Sequence, residues 1–273
     1  MDIAYYDSLW RSGPGGQESE SFWDGRADHF GTHVYKGTEG KERLLKLLSL
    51  LTEKGLLTPE SSVLDIGCGP GKYAVEMARR SKEVTALDIS AKMLAFAEEN
   101  KKKEKVENLF FFKLDWGQVS LEELNWEKGF DLVFASMCPA VNSKKALEKM
   151  IRASRGYCFM STFAKREESI RDVLAKELLP GWDQHKQGKG LSCCCNILWL
   201  MGYYPEITYW DSQWENRFTL EEAYTYYVSA LPLPGGPSER QSKYIKSFLQ
   251  KREKAGLVTE QVRAKFAYVW WKV

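Results

Sequence analysis

The sequence predicts an α/β fold built on a doubly wound, mostly parallel sheet. Three observations carry that expectation. Short apolar runs alternate with helical patterns between residues 62 and 163, as they do when crossover helices join parallel strands. The first run, Ser62-Val63-Leu64-Asp65-Ile66, turns through Gly67, Gly69 and Gly71 into a helical pattern with Tyr73, Ala74, Met77 and Ala78 on its apolar side. The next two strands close on acids, Asp88 and Asp115, which places them at the same sheet edge as the glycine turn.

The elements follow in order. Residues 1–20 are polar and broken at Gly13-Pro14-Gly15-Gly16. Phe22, Trp23, Ala27 and Phe30 then fall near helical spacing, although Gly25 and Gly31 weaken that helix. Gly40 to Gly55 reads as an amphipathic helix, with Leu44, Leu45, Leu47, Leu48 and Leu51 apolar. The core alternates strand 62–66, helix 71–80, strand 83–88, helix 90–103, strands 108–114 and 130–137, helix 143–154 and strand 156–163. Beyond it, helices are expected over 165–179 and 191–201. A strand that continues or bends is expected over 206–211 and 214–218. Thr219 and Glu222 form a capping box that opens another helix. A Pro/Gly turn at 231–237 precedes helix 238–254, and 264–273 alternates like an edge strand. Three regions result: an N-terminal segment 1–40, a core 41–165, and helical insertions with the last strands over 166–273.

At 273 residues, 44% hydrophobic and 28% charged, the chain has the size and balance of a folded domain with insertions. A net charge of +2 gives no broad steering toward nucleic acid. No apolar run approaches a membrane span, and no basic segment followed by an apolar core opens the chain, so the expected location is the cytoplasm. Six cysteines include no Cys-x-x-Cys pair. Cys193, Cys194 and Cys195 on a helix point about 100° apart, so they read as small buried residues and no metal is expected there.

The glycine spacing separates two ligand classes. A dinucleotide fingerprint puts its third glycine at position 72, where this chain has Lys72; the third glycine comes one residue early, at Gly71. Asp65 would repel a pyrophosphate and suits a cationic ligand. The run Asp65-Ile66-Gly67-Cys68-Gly69-Pro70-Gly71 closely resembles motif I of class I S-adenosylmethionine (SAM)-dependent methyltransferases. The resemblance covers 40–165 by motif and the rest by element order, and is nearest to the small-molecule branch that includes ubiquinone and menaquinone C-methyltransferases.

That resemblance implies a Rossmann-like sheet with an antiparallel final strand, SAM as cofactor and S-adenosylhomocysteine (SAH) as product. It implies that Asp65, Gly67, Cys68, Gly69 and Gly71 cradle the cofactor. Asp88 resembles the acid on the ribose hydroxyls, with Ile89 and Met93 flanking adenine. Asp115 resembles the acid that meets the adenine amine, with Trp116 as stacking neighbour, and Ser136 ends the fourth strand beside the cofactor. Segment 1–37, with its Trp23-Asp24-Gly25-Arg26-Ala27 run, resembles a lid over SAM, and the helical insertions resemble a substrate cap. At the motif IV position the family's amine methylases carry Asn/Asp-Pro-Pro-Tyr, whereas this chain has Met137-Cys138-Pro139-Ala140. The expected acceptor is therefore a small molecule, with no nucleic-acid or membrane partner. Methyl displacement needs the acceptor held in line and no obligatory base. His29, His33 and His185 are the acid–base candidates because histidine titrates near neutrality, and Cys138 is a candidate for the acceptor site. His29 and His33 stand four apart without a third ligand, which argues against a metal. A SAM-binding regulatory protein without turnover is the alternative; a nicotinamide dehydrogenase is disfavoured by Lys72 and Asp65.

Overall fold

A computed structural model describes residues 1–11, 19–32, 38–182, 188–231, 233 and 235–273, the side chains of 29, 32, 38 and 39 excepted. The helices are α1 (Ile3–Arg11), α2 (Glu20–Asp24), α3 (Ala27–Thr32), α4 (Thr38–Glu53), α5 (Lys72–Ala78), α6 (Ala91–Glu104), α7 (Lys144–Ala153), α8 (Arg171–Leu178), α9 (Lys189–Leu200), α10 (Leu220–Ala230) and α11 (Glu239–Gln250). The strands are β1 (Ser62–Ile66), β2 (Glu83–Asp88), β3 (Leu109–Lys113), β4 (Phe130–Ser136), β5 (Ser154–Glu168), β6 (Glu206–Phe218), β7 (Glu253–Lys254) and β8 (Leu257–Lys272).

The strands form one sheet in the order β3-β2-β1-β4-β5-β8-β6, with β7 antiparallel against β8. β1, β2, β3, β4 and β5 pair in parallel. The final strand runs against β5: Val273 N–H donates to Gly156 O and Ser169 N–H to Gln261 O, so partner numbers fall as β5 advances. The fold is thus the expected Rossmann-like one. The chain leaves β1 outward through β2 and β3 and returns to its other side at β4. That reversal opens a crevice at the strands' C-terminal ends. Every residue of β1 is buried, and its Val63, Leu64 and Ile66 are apolar, as a central strand covered on both faces requires. Hydroxyl caps set the helix starts: Ser90 accepts from Met93 N–H and Ser143 from Ala146 N–H.

The chain divides into two compact units. One comprises Met1–Thr162, Lys189–Tyr209 and Ala267–Val273; the other comprises Phe163–Gly188 and Trp210–Phe266. In the first, α1 packs on α9 with Trp10 buried, and Lys144 N–H donates to Asp7 Oδ1 at 2.7 Å. Also there, Cys193, Cys194 and Cys195 are buried free thiols on α9. The second unit has its own core, in which Ile170, Leu174, Ala223, Tyr227, Ile245, Leu249 and Val258 bring α8, α10 and α11 together. The expected capping box of Thr219 with Glu222 opens α10, and a second one that the sequence reading did not single out, Ser238 with Gln241, opens α11.

Several boundaries differ from the sequence reading. The helix expected from 165 starts only at Arg171, because β5 continues through Glu168 and Ser169 N–H is taken by Gln261 O. The strand expected to continue or bend over 206–211 and 214–218 is one continuous strand, Glu206–Phe218. The last strand begins at Leu257 rather than 264, since buried and exposed residues alternate from there. Among the described residues no helix is long and apolar enough to cross a membrane.

Candidate functional site

β1 ends at Ile66, and the glycine turn follows at the switch point. Gly67 and Cys68 N–H both donate to Leu87 O, at 2.8 and 3.0 Å, which ties the turn to the neighbouring strand. Gly71 N–H closes the turn on Cys68 O at 3.0 Å, and Asn100 Nδ2 holds Pro70 O at 2.8 Å. All three glycines have positive φ, at +69°, +53° and +75°. Their surroundings differ. A Cβ on Gly67 would lie 2.5 Å from Cys138 Sγ, and one on Gly71 would lie 2.9 Å from Ala97 Cβ. Gly69 alone faces open space. Two glycines therefore serve close packing, and the middle one leaves room for a ligand.

Two acids face the turn. Asp88 at the end of β2 accepts from Gly69 N–H through Oδ2 at 2.8 Å and from Ser90 N–H through Oδ1 at 2.9 Å. Burial still raises its pKa. Asp65 is 2% exposed, and its Oδ2 has no hydrogen-bond partner among the described residues. Burial, then the charge of Asp88, pushes the Asp65 pKa up to about 8. Asp24 on α2 extends the acidic row: it accepts from Ser90 Oγ at 2.6 Å, and its charge adds to the rise at Asp88. A buried carboxylate oxygen without a partner among the described residues, near an open glycine, is an arrangement that can hold a cation.

The remaining candidates are placed as follows. Ile89 is half-buried and Met93 buried at the start of α6. Asp115 Oδ1 accepts from Gly117 N–H at 2.8 Å, which turns the chain after β3. Trp116 is buried, with its indole Nε1 unpartnered among the described residues. Lys149, which no motif singles out, pins this loop: its Nζ donates to Trp116 O, Gly117 O and Val119 O and lies 5.1 Å from the Trp116 ring. Ser136 Oγ lies 2.9 Å from Ser161 Oγ. The next residue, Met137, sits in the left-handed region at φ +53°, its N–H held by Ser161 O at 3.0 Å.

Cys138 is half-buried against Gly67, and burial first, with Asp88 and Asp65 adding, pushes its thiol up to about 12. Such a thiol is no nucleophile at neutral pH. Cys68 is buried, its thiol well above its usual range. The backbone of His29 lies in α3, but its side chain lies outside the described residues, as do His33 and His185 entirely. The contacts that the sequence does not reveal are those between distant segments: Cys138 on Gly67, Asp24 on Ser90, and Lys149 on the 116–119 loop.

Comparison with known proteins agrees with this geometry. A family model described as a methyltransferase domain matches residues 57–222. A protein of Haemophilus influenzae with no described activity is 24% identical over 259 residues, 92% of this chain and 88% of its own. The 23S rRNA (uracil(1939)-C(5))-methyltransferase of Aeromonas hydrophila is 36% identical over 75 residues, 27% of this chain and 17% of that protein. Among solved structures, coclaurine N-methyltransferase bound to N-methylheliamine and SAH superposes with a TM-score of 0.54 and 14% identity. It covers 100% of this chain and 87% of that one.

Proposed function

We propose that this chain, which belongs to the methyltransferase domain family and is a SAM-dependent methyltransferase, delivers the methyl group to a small-molecule acceptor. The cofactor carries an ammonium and a sulfonium, and it supplies an electrophilic methyl group. The fit rests on one observation: the orphaned Asp65 carboxylate beside the open face of Gly69. Asp65 would hold the positive end of the cofactor. Asp88 would accept from the ribose hydroxyls, as an acid at this strand end does in the fold. Met93 and Ile89 would flank the adenine, with Trp116 beside it and Asp115 at its amine. The N-terminal segment 1–40 would cover the cofactor, because Asp24 on α2 binds Ser90, whose own N–H holds Asp88.

What favours a small acceptor is the end of β4. Ser136, Met137 and Cys138 present hydroxyl, thioether and a protonated thiol, all neutral, and the chain's net charge is +2. Nucleic-acid affinity is dominated by phosphate neutralisation, which these groups do not supply. The rRNA relative supports a second reading, in which the acceptor is an RNA base. Incubating the chain with methyl-labelled SAM and a cell extract separates the two. Label is expected in the fraction below about 1 kDa, as one methyl-sized mass addition; label confined to RNA would establish the second reading.

A further inference from the structure

The loop after β3 is built around one ammonium. Lys149 on α7 sends its Nζ to Trp116 O at 2.6 Å, Gly117 O at 3.2 Å and Val119 O at 2.8 Å. An ammonium has three N–H donors and no acceptor, so three converging carbonyls use its capacity in full. Its charge strengthens each of those bonds. The same ammonium lies 5.1 Å from the centre of the buried Trp116 ring. One turn along α7, Arg152 pairs with Glu122 and Glu127, so the helix grips this connection at two places. The helix is itself anchored, with Ala146, Leu147, Met150 and Ile151 buried.

The loop in turn sets Asp115. The main-chain O of Asp115 accepts from Gln118 N–H at 2.9 Å and Val119 N–H at 3.0 Å, and its Oδ1 accepts from Gly117 N–H at 2.8 Å. Among the described residues no hydrogen bond reaches its Oδ2. Just before it, Leu114 N–H donates to Asp88 O at 3.1 Å, so the loop leaves the sheet beside the acid at the end of β2. β3 is the outermost strand on its side of the sheet, so no further strand braces that loop. The brace is Lys149. Without its ammonium the three carbonyls would turn to water, and the turn that carries Asp115 would lose the contact that fixes it.

We propose that Lys149 is a positioning residue for base recognition. By holding three carbonyls of the 116–119 loop it sets where the Asp115 carboxylate meets the adenine amine, and thereby the preference for adenine over a base with a carbonyl at that position. Lys149 acts through the loop and need not touch the cofactor itself. The proposal rests on the cofactor reading of Asp115 above and deepens it.

The test uses the full chain and two ligands, SAH and S-inosylhomocysteine, which has a carbonyl in place of the adenine amine. Both are titrated by calorimetry. Wild type is expected to prefer SAH by about tenfold or more, the worth of one hydrogen bond to a charged acceptor. Lys149→Met keeps nearly the same length and removes the donors. Its preference is expected to fall to about threefold or less, chiefly through weaker SAH binding. Lys145→Met removes an exposed lysine of the same helix and is expected to keep the wild-type preference, which separates the loop contact from a general effect of charge. Melting temperatures show which variants are folded. If Lys149→Met does not fold, Lys149→Arg replaces it with the same fall expected, because a planar guanidinium keeps the charge but cannot gather three carbonyls about one nitrogen. A folded Lys149 variant that keeps the wild-type preference, whether it loses affinity for both ligands alike or for neither, overturns the positioning role and leaves that of Asp115 intact. An equal fall in Lys145→Met overturns it as well. Failure of the cofactor reading shows separately, as no preference in wild type or as the full wild-type preference in Asp115→Asn, whose amide can donate to the inosine carbonyl.

Discussion

Each of the two units buries a pair of carboxylates, and the pairs are treated differently. In the second unit Glu168 and Glu260 have every oxygen engaged. Glu168 is bridged by Arg166 at 2.8 Å and Arg171 at 3.1 Å. Glu260 accepts from Arg171 N–H at 3.1 Å and Asn216 Nδ2 at 3.2 Å. In the first unit, among the described residues, Asp65 has an oxygen with no partner, and Asp88 accepts from the backbone N–H groups of Gly69 and Ser90. The first arrangement is complete without a ligand and reads as structure. The second leaves an oxygen unpartnered among the described residues, and that difference is what supports the proposed cofactor site.

The largest effect should come from breaking the complete pair. Glu168→Ala leaves two guanidinium groups half-buried without their shared acid and should cost about 3–5 kcal/mol of stability. Denaturant unfolding measures it, and SAH affinity of the fraction that stays folded should not change. A large loss of SAH affinity there would erase the distinction between the pairs. Gly67→Ala should cost about 1–3 kcal/mol, since a side chain at φ +69° is strained and its Cβ would meet Cys138 Sγ. Cys138→Ala should recover part of that loss if the contact is its cause, which a double-mutant comparison of melting temperatures reads directly. Asp88→Ala should weaken SAH binding by about 1–3 kcal/mol, by calorimetry, from the loss of hydrogen bonds to a charged acceptor. An unchanged dissociation constant in the folded variant would remove its ribose role. Smallest is Thr219→Ala, which deletes a helix cap in the second unit; about 1 kcal/mol of stability should be lost and nothing in SAH binding.

These contrasts bear on what the sequence can reveal. The strand, turn and helix around Gly67, Gly69 and Gly71 are legible because their cause is local: positive φ, an apolar run and a helical pattern within twelve residues. Asp88 is legible from its place at a strand end. The separate tasks of the three glycines are not legible, because Cys138 and Ala97 reach them from far along the chain. Nor is the pairing of Ser136 with Ser161, which follows only from the register of β4 against β5. The extension of β5 through Glu168 was hidden by a helical pattern in 165–179. That pattern is half satisfied, with Ile170 and Leu174 buried but Val173 at 39% exposed, because strand pairing claims the first residues. Lys149 carries no motif at all, and Asp24 stands in a run that does not reveal its partner Ser90; only tertiary contact brings them to the site.

The central claim is that the unpartnered carboxylate of Asp65 receives the positive end of the cofactor. Titrating SAH into wild type and Asp65→Asn by calorimetry between pH 6 and 8, alongside the melting temperature of each free protein, tests it most directly. The folded Asp65 pKa of about 8 lies above the ordinary carboxyl value of about 3.9. Its contribution to the stability of the free protein is therefore complete below about pH 3.9 and is lost as pH rises toward 8. A cation binds the ionised form, so wild-type SAH affinity should rise across this window with proton release. Asp65→Asn should bind SAH more weakly at pH 8, show no such rise, and melt at or above the wild-type temperature there. Equal affinity in the two proteins, with the same pH profile, would contradict the claim.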